Sequence, residues 1–97
     1  MSALSTQALP LVKLRLNRAT GDTSLDTMYT QRIEAAELEL ARKGINLQGD
    51  ADDLMLLVDY SVWRYQNRDK PGSTPDWLRL AIRERWLSSK GRVTDES

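Results

Sequence analysis

The stretch DADDLMLLVDYSVWRYQ, residues 50–66, runs three acids into an almost unbroken apolar block. Asp50 is of the side-chain type that caps a helix by accepting from its free first-turn N–H groups. Asp52 and Asp53 then fall in the first turn, where the helix dipole favours negative charge. The same acids resemble the start of a calcium loop, but that pattern needs a glycine and a distant glutamate. Here it meets Leu54, Met55 and Leu56 instead, so capping is the better reading. Leu54, Leu57, Val58, Ser61 and Tyr65 share one helical face, while Met55, Val62 and Trp63 lie on other sides. A helix apolar nearly all round is one that other elements surround. The stretch predicts a central helix in an all-α fold.

Upstream, SLDTMYTQRIEAAELELARKG (residues 24–44) places Leu25, Tyr29, Ile33, Ala36 and Leu40 on one stripe. Met28, Ala35 and Leu38 widen it, Thr23 with Asp26 resembles a capping box, and Gly44 suits a left-handed helix stop. Glu39 and Lys43 are placed as an i,i+4 pair. PLVKLRLNRA, from Pro10, reads either as a short helix with Pro10 in its first turn or as a short strand, because LVKLRL alternates. Leu11, Val12 and Leu14 would face inward.

Downstream, NRDKPGS breaks the central helix. Thr74-Pro75-Asp76 then joins a hydroxyl cap, a proline and an acid, which is a helix start. PDWLRLAIRERWLSS buries Leu78, Ala81, Ile82 and Trp86 and turns Arg79, Arg83 and Glu84 outward. RVTDES is polar and reads as loose. The expectation is one domain over residues 1–97: a bundle of about four helices with an apolar third helix. Residues 1–8 and a C-terminal tail, 88–97, are expected to be flexible.

Composition narrows the function. A chain of 97 residues suits one small domain with a modest core. It holds neither cysteine nor histidine, which removes disulfides, thiolate metal sites and the commonest general base. No apolar run approaches a membrane span of roughly 20 residues, and the N-terminus lacks a signal-peptide pattern. These features predict a soluble protein made and used in cytoplasm, or in an object assembled there. Glu34, Glu37 and Glu39 lie mostly on the polar side of their helix and read as solvated charges. Without a nucleophile motif or a phosphate loop, no enzyme is expected, and without cysteine, histidine or a completed calcium loop no metal site is expected.

Residues 59–86 hold all three tryptophans, interleaved with arginine. From Tyr60 to Arg92 the chain has eight basic and three acidic residues, yet the whole chain carries equal numbers of acids and bases. A dedicated nucleic-acid binder is usually strongly basic. The break from Asn67 to Thr74 is also about twice the turn of a helix-turn-helix. Core packing of the aromatics is the plain reading. A protein–protein interface is the functional one, since exposed Trp, Tyr and Arg are the composition of binding hot spots.

In order and texture, residues 9–92 resemble the small head–tail connector, or adaptor, proteins of tailed double-stranded DNA phages and prophages. The resemblance rests on LPLVKLRLN, QRIEAAELELARKGINL, LLVDYSVWRYQNRD and PDWLRLAIRERW. The AAE run and the WRYQNRD ending are its most telling parts. It implies a structural virion protein, assembled in the host cytoplasm and used without a cofactor. Its copies would form a ring, twelve-fold to match the portal, beneath the portal of the filled head. The ring would prolong the DNA channel without sequence-specific binding and dock the stopper or tail. Its C-terminal end would be a place of portal attachment. Zero formal charge fits many copies side by side, and a ring needs two unlike patches on each copy.

Arg64, Arg68, Arg83, Arg85, Lys90 and Arg92 are therefore expected to meet neighbouring subunits or the portal. The core is expected from Leu25, Tyr29, Ile33, Ala36, Leu40, Leu54, Leu57, Val58, Trp77, Leu78 and Ile82, with part of Trp63. The alternative function is a small helical DNA-binding protein, a packaging or regulatory subunit; a helical module for one cellular protein is a third.

Overall fold

The computed structural model describes residues 3–19, 21–67 and 74–95, with side chains between residues 4 and 88. Among them the chain forms four α-helices and no strand: α1 (Ala3–Arg15), α2 (Asp26–Arg42), α3 (Ala51–Gln66) and α4 (Asp76–Asp95). The first three pack on one another, and α4 rests on α3. The result is an all-α bundle. None of its helices is long and apolar enough to cross a membrane.

The third helix is the hub because it buries two sides at once. Leu56, Leu57, Val58, Tyr60, Ser61 and Val62 are all buried, so α1, α2 and α4 can each find an apolar surface on it. Asp50 caps it: the Asp53 N–H donates to the Asp50 carboxylate over 2.9 Å. Tyr29, Ile33, Ala36 and Leu40 bring the stripe of α2 to the same core, and Leu78 brings α4. Leu54 and Ile82 are half-buried against this core, as are Trp63 and Ala81.

Two helices end in the same left-handed motif. Gly44 has φ +88°; its N–H donates to the Ala41 carbonyl, and the Ile45 N–H donates to that of Leu40. Ile45 and Leu40 are both buried in the core, which is the apolar contact that accompanies this stop. At the end of α1, Asn17 takes φ 60°, with Asn17 N–H donating to Leu14 and Arg18 N–H to Lys13. Asparagine is the residue after glycine that tolerates this conformation.

Several expectations need correction. The first segment is a helix that begins at Ala3, upstream of Pro10, and not a strand; of the two ends expected to be flexible, residues 1–2 and 96–97 lie outside the described residues. Leu4, Ala8 and Val12 recur every fourth residue and are buried, and this packing outweighs the proline inside the helix. Pro10 sits on its exposed side. Leu14 points out, 59% exposed. At α2 the N-cap position is Leu25, with no side-chain cap bond; Asp26 turns instead to Lys13. Leu25 consequently lies outside the helix and outside the core.

Trp77 is not a core residue either. It is 56% exposed, because the next residue, Leu78, takes the inward position and one helical step turns a side chain by about 100°. Trp86 lies at the core's margin. Nor does α4 stop near Gly91: it continues to Asp95, so residues 88–95 are helix rather than an irregular tail. One glycine costs an exposed helix only about 1 kcal/mol relative to alanine.

Candidate subunit interface

The arginines expected at an interface divide into two groups. Arg85 belongs to the interior. Its Nε donates over 2.6 Å and its Nη2 over 3.2 Å to the two carboxylate oxygens of buried Asp53. Nη2 also donates to the Asn46 carbonyl. This corrects its assignment to a partner surface: planar guanidinium is the group suited to a buried carboxylate in a fork-to-fork contact. Asp53 accepts the Gln48 N–H as well, at 2.5 Å, so one carboxylate joins α3, α4 and the loop before α3. The contact raises the Arg85 pKa, chiefly through the hydrogen bond to Asp53.

Arg64 is half-buried and donates to Glu39, 3.0 Å from Nε and 2.9 Å from Nη2. The Tyr60 hydroxyl donates to the same carboxylate. Glu39 therefore bridges α2 to α3, rather than lying solvated beside Lys43. Burial works against its charged form, but the bonds from Tyr60 and Arg64 outweigh it and hold its pKa below the usual range. Burial and the neighbouring Glu39 together raise the Tyr60 pKa.

Arg83 is exposed on α4. Arg68 lies outside the described residues, as do the side chains of Lys90 and Arg92, although the backbone of both belongs to α4. The site residues are thus not one cluster. Two of them stitch the bundle and one faces solvent.

What gathers on the surface is apolar. Trp77, Leu80 and Leu87 are 56%, 55% and 47% exposed on α4. Leu80 and Leu87 are seven residues apart, two helical turns, and so share a side. Across the bundle, Leu11, Leu14, Met55 and Val58 line a groove between α1 and α3. Met55 also borders a second groove between α3 and α4, with Asp52, Ala81, Glu84 and Ser88. The spacing of Leu80 and Leu87 was the available signal for this surface.

Lys13 carried no signal. Its ammonium is buried between the Asp26 carboxylate, at 2.8 Å, and the Asp22 carbonyl, at 2.6 Å, so it fixes the α1–α2 connection. Among the described residues, no group of three or more acidic side chains is placed to hold a metal ion. No protein-family model matches the chain, and neither a curated protein nor a solved structure matches it.

Proposed function

We propose that the chain is a head–tail connector: one subunit of a ring beneath the portal of a tailed-phage head, which completes the filled head and docks the stopper or tail. The observation that carries this reading is the second apolar side of α4. A bundle this small has little core to spare, yet α4 leaves Trp77, Leu80 and Leu87 in solvent while Leu78, Ile82 and Arg85 face the body. Apolar side chains gathered on one element mark a surface that meets another protein. The sequence resemblance supplies the kind of assembly.

The DNA-binding alternative draws less support. Arg64 and Arg85 are each held by a carboxylate within the bundle, of Glu39 and Asp53, which makes them poor phosphate contacts.

The test is reconstitution with a tailed-phage portal protein. Electron microscopy of the mixture is expected to show an added ring on the portal, lost in Leu80→Asp/Leu87→Asp. A complementation assay with that variant is expected to give filled heads without tails. Absence of portal binding, together with sequence-selective DNA binding at physiological salt, would replace the connector reading with the DNA reading.

A further inference from the structure

We propose that the groove between α3 and α4 is a docking site for a basic amphipathic helix of another protein, one with a row of large apolar side chains flanked by lysine or arginine. The proposal stands apart from the connector reading, which rests on the outward leucines of α4.

The groove has the length of a helix-binding site. Its α3 wall is Asp52, Met55 and Asp59, and its α4 wall is Ala81, Glu84 and Ser88. Each set falls at i, i+3 and i+7, so each lies along one side of its helix and runs about 10 Å, two turns. A partner helix that docks in a groove places its anchors at this same spacing. The hydrogen bonds from Arg85 to Asp53 tie the two walls together, so the groove exists before anything enters it.

Its charge selects the occupant. Met55 stands in the middle of the α3 wall, 43% exposed, above buried Leu56. Asp52 and Glu84 are exposed, one on each wall, and among the described residues no cation pairs with either. The nearby cations are already engaged, Arg15 by Asp59 and Arg85 by Asp53. An apolar strip edged by unpaired acids on both walls is complementary to an apolar strip edged by bases. The same groove of a second copy would set acid against acid, and the rim would repel a phosphate backbone for the same reason.

Nuclear magnetic resonance titration of the isotope-labelled chain tests this. The probes are a synthetic amphipathic helix of leucine and lysine, the same peptide with glutamate for lysine, and an all-lysine peptide of equal length. The leucine–lysine peptide is expected to shift the amide signals around Met55, Ala81 and Glu84, and the other two to leave them in place. Asp52→Lys/Glu84→Lys changes only exposed side chains, and circular dichroism checks its fold. It is expected to weaken binding of the leucine–lysine peptide by about tenfold and to take up the leucine–glutamate peptide instead. Met55→Gln, which keeps both acids, is expected to weaken the leucine–lysine peptide as well. Equal binding of the all-lysine peptide, shifts spread over the whole surface, indifference to the charge reversal, or no binding at millimolar peptide overturns the proposal. A wild type that self-associates through these residues and is dispersed by the peptide puts a second copy in the groove, which also overturns it. None of these outcomes bears on Leu80 and Leu87, so the connector reading is tested separately.

Discussion

Arg85 of α4 closes on the buried carboxylate of Asp53 in α3 with two hydrogen bonds, while its far nitrogen reaches the Asn46 carbonyl. Asp53 is 1% exposed, so its charge depends on this partner and on the Gln48 N–H. Arg85→Leu leaves a buried carboxylate without its cation and is expected to cost about 3–5 kcal/mol in urea unfolding. Adding Asp53→Asn removes that charge and should recover part of the loss. A double variant no more stable than Arg85→Leu alone would contradict the expected recovery, and the Asp53→Asn single variant completes the cycle that measures the coupling.

The Trp86 indole bears on Gly44, where an added Cβ would stand 3.1 Å from Nε1. The φ of +88° at Gly44 also disfavours any side chain. Gly44→Ala is expected to destabilise by about 1–3 kcal/mol. Differential scanning calorimetry reads the shift. Trp86→Ala should relieve the contact but not the backbone strain, so the two substitutions together should cost less than their sum.

Leu57 is fully buried at the meeting of the helices. Leu57→Ala is expected to cost about 2–5 kcal/mol, the range for buried leucine truncations. An unchanged thermal melt would contradict the central place of α3.

The Tyr29 hydroxyl and Ser61 Oγ are buried without a hydrogen-bond partner among the described residues. Removing a polar atom that has no partner removes its desolvation cost, about 1–3 kcal/mol for a group wholly without one. Tyr29→Phe and Ser61→Ala are therefore expected to leave the melting temperature unchanged or higher. The ring of Tyr29, edge-on to Tyr65 at 5.6 Å, is retained in Tyr29→Phe. A clear loss of stability would reveal a bond to either atom.

Glu39 gives the fold a defined response to acid. Its folded pKa lies below the usual carboxylate value, so its contribution is present above the unfolded pKa, about 4.3. That contribution disappears as pH falls through the folded value. Glu39→Gln should cost about 1–2 kcal/mol at neutral pH, since the carboxylate is a third exposed and solvent screens the pair. The gap between variant and wild type should close in acid. Unfolding curves at several pH values check this, and a gap that widens toward acid would invert the sign.

The helices were largely legible in the sequence because their cause is local. Asp50 caps the third helix with its own side chain, Gly44 stops the second with its own φ, and Tyr29 to Leu40 trace a stripe set by helical pitch alone. The tertiary structure decided which of several eligible side chains face inward. Leu78, not Trp77, enters the core because α4 meets α3 at one particular rotation. Leu4 and Ala8 extend α1 past a proline because α2 and α3 give them a surface to bury against. It also decided which charges face solvent. Lys13, Glu39 and Arg85 look like surface residues along the chain, and each lies beside a partner distant in sequence. Helical periodicity depends on the residues within a turn or two, whereas an ion pair between helices depends on where the chain returns, and spacing within one helix does not encode that.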